Sequence, residues 1–173
     1  MSLFAFIVLS ATVVLLFGRE LALRSYQSKK RKSGLLTSFS RLGSSHNLSF
    51  TSQELLADRI LGFDGLSKKL LVLEQRHGHY EWFTIDLNEV ESCRVTRMYC
   101  WGEGSEKTQK RLDGRVNRVV LVFTFKNSVQ PVEIPFFSST INERNELKIL
   151  DAKARGWESF LSKLLTRSKP GRA

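Results

Sequence analysis

The sequence predicts a mainly β chain of the α+β class, preceded by an apolar N-terminal helix and closed by an amphipathic C-terminal helix. Three observations predict it. Residues 3–17 carry no charge. Between about residues 48 and 137, short apolar runs alternate with turn residues, the signature of successive strands. Leu147, Leu150, Ala154, Trp157, Leu161 and Leu164 then recur at steps of three and four, one stripe of a helix.

The N-terminal segment reads as a membrane span. Leu3 to Phe17 is Leu, Phe, Ala, Ile and Val, interrupted by Ser10 and Thr12. Its apolar residues cover the whole circumference of a helix, unlike the stripe of a core helix. If Arg19 snorkels to the headgroups the helix extends to Leu23, and residues 3–23 span about 31 Å, enough for a hydrocarbon core. No basic residue precedes the segment and no small-x-small cleavage site follows Phe17, so a signal anchor is expected rather than a cleaved leader.

Charge sets the expected orientation. Of a net +10, residues 1–45 carry +6, residues 46–165 carry +1 and the tail 166–173 carries +3. The positive-inside rule places the N-terminus outside and the body in the cytoplasm, in a single pass of the bacterial cytoplasmic membrane. Arg19, Arg24, Lys29, Lys30, Arg31 and Lys32 are the candidate headgroup contacts, and the lipid bilayer is an expected partner. A nearly neutral body disfavours nucleic acid as a partner, since such domains carry their excess charge on their own face.

Four regions follow. Residues 1–32 form the spanning helix with its basic flank. Residues 33–49 form a Ser/Gly-rich tether, in which Leu35, Leu36, Phe39 and Leu42 stand at roughly helical spacing. Residues 50–166 form the folded domain, and 167–173 a basic tail. Asn47-Leu48-Ser49 is a formal glycosylation sequon that a cytoplasmic body leaves unused.

Within the domain, Ile60, Leu61 and Phe63 end at the turn Asp64-Gly65. Lys68 to Gln75 is apolar on both faces, as a buried strand is. Tyr80, Trp82 and Thr84 alternate with Phe83, Ile85 and Leu87 after Gly78. Glu89 to Tyr99 follows, with Cys93 and Val95 inward. A polar loop over 102–114 leads into Val116–Lys126, the clearest alternation in the chain. Asn127-Ser128 turns it into Val129–Phe137, where Pro131 and Pro135 mark an edge strand. Thr140-Ile141-Asn142-Glu143 has the form of a capping box for the final helix.

Six or seven antiparallel strands closed by one helix resemble the pleckstrin-homology-like fold, a barrel or sandwich capped at its C-terminus. The order also resembles small bacterial single-pass membrane proteins of unassigned function that carry such a domain. The likeness covers residues 50–165, with runs such as Gly62-Phe63-Asp64 to Leu73-Glu74, Ile85-Asp86-Leu87 and Ala154-Arg155-Gly156-Trp157. It implies a role in binding phosphoinositides, peptides or proteins, or in scaffolding. Lys68-Lys69 departs from the Lys-x-Lys/Arg cluster of the lipid-binding members, because adjacent strand residues point to opposite faces.

Catalytic signatures are absent from the sequence: no Gly-x-Ser-x-Gly, His-Glu-x-x-His, Walker or dinucleotide pattern occurs. The expected function is a membrane-tethered, non-catalytic interaction or scaffold domain, with a membrane or cytosolic protein or a second copy as partner, and without metal or cofactor. Arg97, Tyr99 and Trp101 are the candidate binding residues, since Arg and aromatic side chains dominate hot spots. Loop 97–115 or the edge strand 129–135 would form the docking surface. The alternative is an enzyme using His77, His79, Asp86, Glu89 and Glu91, which requires those side chains to converge in one pocket. Cys93 and Cys100 lack zinc-type spacing and read as a half-buried residue and a loop thiol, with one disulfide between them the other option.

Overall fold

The computed structural model describes residues 32–100, 116–128 and 130–167. The chain divides into two compact units, residues 1–47 and 48–173.

In the first unit residues 32–45 form helix α1. This stretch is the Ser/Gly-rich segment whose composition suggests a tether. Leu35 and Phe39 stand four apart and are both buried, and Leu42 continues the stripe half-buried. Three of the hydroxyls that weaken helix propensity bond back to the helix: Thr37 donates to the Ser33 carbonyl at 3.0 Å, Ser44 to Ser40 at 3.0 Å and Ser45 to Leu42 at 2.8 Å.

The expectation of a membrane anchor requires correction. No helix among the described residues is long and apolar enough to cross a membrane. Helix α2 (Leu147–Arg167) has the length, but Lys148, Asp151, Lys153, Arg155, Glu158 and Lys163 interrupt it and give it one apolar face only. The expected span at 3–23, and with it Arg19, Arg24, Lys29, Lys30 and Arg31, lies outside the described residues; Lys32 is exposed at the start of α1. The single-pass topology, the signal anchor and the cytoplasmic-membrane placement therefore have no structural support. What stands is the mainly β body.

That body is two antiparallel sheets. Strands β1 (Phe50–Leu55), β2 (Arg59–Asp64), β3 (Lys69–Arg76) and β4 (His79–Asp86) form a four-stranded sheet in sequence order. Strands β5 (Val90–Tyr99), β6 (Val116–Phe125) and β7 (Val132–Ser138) form the second. Within the first sheet consecutive strands pair because short turns join them. His77 and Gly78 both take positive φ (48° and 84°), the conformation of a two-residue hairpin between β3 and β4. Lys68 (φ 54°) does the same after β2.

The β2–β3 turn is built around Asp64. Its buried carboxylate accepts the Ser49 N–H at 3.0 Å, the Leu66 N–H at 2.8 Å and the Ser67 N–H at 3.1 Å. The hydrogen bond from Ser49, with those from Ser67 and Leu66, holds the carboxyl below its ordinary range against the opposing effect of burial. A depressed folded-state pKa contributes stability that is present above the unfolded value, near pH 3.9, and is lost as pH falls through the folded one. Asp64→Asn is therefore expected to lower the urea midpoint at pH 7 and to converge with wild type as the pH falls below the ordinary carboxylate range. Equilibrium unfolding at stepped pH reads both limbs.

Between the sheets and α2 lies one apolar core. Leu61, Phe63, Leu70 and Val72 enter it from the first sheet, Val119, Leu121, Phe123, Ile134 and Phe136 from the second, and Leu150, Ala154, Trp157 and Leu161 from α2. β2 and β3 are buried on both faces, since Ile60, Leu71 and Leu73 point away from this core and are as inaccessible as the residues within it. The ring of Phe160 meets Phe63 edge-on at 5.3 Å and Trp157 at 5.9 Å. α2 begins later than the Thr140 box implies. Glu146 closes the turn instead, accepting the Glu143 N–H at 3.0 Å, and a 3-10 turn over Arg144–Glu146 leads into the helix.

Candidate functional site

Arg97 and Tyr99 both lie on β5, and Trp101 lies outside the described residues. Arg97 is a strut rather than an open binding group. Its Nε and Nη2 donate to the two carboxylate oxygens of Asp151 on α2, each at 2.9 Å. Arg155 Nε adds a third bond to Asp151 at 3.0 Å. The Arg97 hydrogen bond, followed by that of Arg155, holds the Asp151 carboxyl below its ordinary range against burial. The same pairing, with a further hydrogen bond to the Tyr99 side chain, raises the already high pKa of Arg97. This fork ties β5 to the helix. Tyr99 remains substantially exposed beside it.

The residues of the enzymatic alternative do not converge. His77 and His79 sit at the β3–β4 hairpin, while Asp86 ends β4 seven residues further, about 23 Å along an extended strand. Asp86 there serves a turn: its Oδ1 accepts the Asn88 N–H and side-chain amide, each at 2.9 Å. Glu89 and Glu91 follow at the entry to β5, exposed. Among the described residues no three His, Cys, Asp or Glu side chains come close enough to hold a metal. Cys93 is buried on the inner face of β5 and Cys100 is exposed, and neither forms a disulfide. Burial, with the neighbouring Glu158 charge, pushes the Cys93 thiol up to about 12.

A cleft of about 330 Å³ lies between β1 and α2, lined by Ser52, Gln53, Glu54, Lys153, Gly156, Trp157 and Phe160. Its only two charges neutralise each other, Lys153 Nζ standing 2.8 Å from Glu54 Oε1. With both committed, no titratable group in it remains poised for chemistry.

The sheet edges differ in a way that carries function. Two sheets of four and three strands present four edge strands: β1, β4, β5 and β7. An edge offers a row of backbone donors and acceptors to any passing strand, and stable proteins blunt it with bulges, prolines, charges or covering elements. β1 is kinked by a register shift between Phe50 and Ser52. β7 carries Pro135, preceded by Pro131, and its ladder with β6 shifts opposite Val119 and Val120. β5 shifts twice, at Val90/Ser92 and Met98/Tyr99. Helix α2 also covers β5: Glu158 Oε1 accepts the Val95 N–H at 3.1 Å, and Ser162 Oγ donates to the Cys93 carbonyl at 3.5 Å.

Among the described residues β4 has no bulge, proline or covering element, and its only guards are the acids Glu81 and Asp86. Its eight residues pair with β3 in unbroken register, from Lys69↔Asp86 to Arg76↔His79. The strand contains no proline, lysine or bulge. Among the described residues its ladder has one neighbour, β3. It also shows large side chains: Tyr80 is 40% and Trp82 47% exposed, on the same face as exposed Thr84. Such an edge is unbroken in register and rich in β-prone residues. The sequence pattern shows the strand but gives no sign of its place, because nothing in the alternation of residues 79–86 says which side of the sheet stays open. No known protein family, curated protein or solved structure matches this chain.

Proposed function

We propose that this chain is a non-catalytic interaction or scaffold module of pleckstrin-homology-like architecture that takes its partner at the β4 edge by strand addition. The observation that carries this reading is the contrast among the four edges. Three are bulged, proline-bearing or covered, and among the described residues β4 is none of these. In strand addition, backbone hydrogen bonds supply affinity and alternate side chains supply selectivity. Tyr80 and Trp82 are suited to the second task, as large rings at the rim of the added strand. The four-and-three sheet order with a single closing helix supports the architectural half of the reading.

This reading relocates the docking surface from β7 and from loop 97–115 to β4. β7 is an edge, as Pro131 and Pro135 suggest, but Pro135 deprives the strand of a backbone donor. Most of the loop lies outside the described residues.

The test is a charge placed on the edge. Tyr80→Lys with Thr84→Lys puts two ammonium groups on the accessible face of β4, where solvent accommodates them. The pair is expected to lower association by at least tenfold while leaving the melting temperature within a few degrees of wild type, because surface changes cost about 0.5 kcal/mol or less. Association that persists unchanged in the folded double variant contradicts β4 docking.

A further inference from the structure

We infer that the strand accepted by β4 is β4 of a second copy, paired antiparallel about a two-fold axis at Trp82. The inference rests on β4 being the docking edge and names the occupant.

Symmetry limits the registers. In an antiparallel pair about a two-fold normal to the sheet, opposed residues share a face, and side chains alternate faces along each strand. The axis must therefore pass through a residue. At Glu81 it sets two carboxylates of like charge against each other, which is unfavourable. At Thr84 the overlap shrinks and Asp86 is drawn opposite Trp82. At Phe83, Tyr80 falls opposite Asp86, whose carboxylate already serves the Asn88 turn.

At Trp82 every pair is compatible. Trp82 meets its own copy and Tyr80 meets Thr84, so the exposed aromatic residues of the two copies form one continuous row. On the other face Glu81 meets Phe83 and His79 meets Ile85. No like charges oppose, and aromatic–aromatic and aromatic–Thr pairs are among the favourable cross-strand combinations. Two four-stranded sheets thereby become one. A self-complementary patch of this kind is what a closed two-fold dimer needs. About seven paired residues a side is well below the 20–30 of a standard interface, so the dimer is concentration-dependent rather than obligate.

The test uses the full chain with Cys100→Ser, which removes the exposed thiol and leaves only buried Cys93. Opposed Cα atoms in an antiparallel ladder stand about 4.5–5.5 Å apart, within disulfide reach. Trp82→Cys is expected to form a disulfide-linked dimer on mild oxidation at about 100 µM, a concentration chosen to populate a weak interface. Tyr80→Cys mixed with Thr84→Cys is expected to cross-link as a hetero-pair, far more than either alone, and this arm keeps Trp82. Leu66→Cys, at a position 90% exposed and away from the strand, is the control that stays single. Sedimentation of the otherwise unaltered chain reads the mass without any new thiol.

A mass rising towards twice that of one chain, with the Trp82 register in the cross-links, is the expected result. A chain that stays single at that concentration overturns self-pairing. So does a dimer that cross-links no better at Trp82 than at Leu66, or that survives Tyr80→Lys with Thr84→Lys. If the chain is single yet binds a different protein, and the lysine pair abolishes that binding, self-pairing falls and the docking edge stands. If the lysine pair changes neither, both fall.

Discussion

Phe123→Ala is expected to destabilise the domain by about 4 kcal/mol, the range found when a fully buried aromatic ring is removed. Phe123 is 0% exposed on β6, the central strand of the second sheet. It stands opposite Cys93 on one side and Val132 on the other. Its core is walled on three sides by two sheets and a helix, so the backbone cannot close over the vacated volume, and a cavity term adds to the lost transfer energy. Against a total stability of roughly 5–15 kcal/mol, this brings the domain close to unfolding. Phe123→Leu retains most of the volume and is expected to cost about half as much. Urea unfolding followed by tryptophan fluorescence measures both, since Trp157 lies in the same core.

Arg59→Ala is expected to cost about 3 kcal/mol, by a different mechanism. Arg59 and Glu74 face each other across the β2–β3 ladder and are both buried. Arg59 Nη1 is 3.2 Å from Glu74 Oε2, and its Nε and Nη2 hold the two oxygens of Asp58 at 2.9 and 2.8 Å. Arg76, itself mostly exposed, reaches the other Glu74 oxygen at 2.7 Å. Removing Arg59 leaves a buried carboxylate with one solvent-facing partner, and an uncompensated buried charge is what makes such breaks expensive. The double change Arg59→Met with Glu74→Leu removes both charges and is expected to recover most of the loss. A double-mutant cycle checks this: a double variant as unstable as the sum of the singles contradicts the pairing account.

Much of this fold was legible in the sequence because its determinants are local. The alternation of Val119, Leu121, Phe123 and Phe125, the both-face apolarity of Leu70 to Leu73 and the stripe from Leu147 to Leu164 each reflect one element meeting one core. β1 was less distinct, because Thr51, Ser52, Gln53 and Glu54 are polar and the strand exists through its pairing with β2. Helix α1 ran against composition. Eight Ser and Gly residues between 33 and 49 suggested a tether, but the helical spacing of Leu35 and Phe39 prevailed, with hydroxyls bonding back to the helix.

The candidate site was less legible for reasons of distance. Arg97 stands among the candidate binding residues by its type, but its partner Asp151 is 54 residues away and no local pattern links them. His79 and Asp86 look close in sequence, yet an extended strand carries them to opposite ends of β4. In the sequence Tyr80 and Trp82 show only ordinary strand alternation. Their importance depends on strand order, on the chain leaving the first sheet at the turn after Asp86, where the Glu89 N–H bonds the Asp86 carbonyl at 3.1 Å. Edge status belongs to topology, and the spacing of hydrophobic residues does not encode it.

Amide hydrogen exchange, resolved by residue and followed as the chain is taken from its dissociated to its associated state, tests the β4 account most directly. An edge strand leaves alternate N–H groups exposed to solvent, and an added strand protects them. The account predicts that amides within His79–Asp86 gain at least tenfold protection on association while those of β1, β5 and β7 stay unchanged. Protection that appears along β5 or β7 instead, or association that leaves the β4 amides exchanging as before, contradicts it.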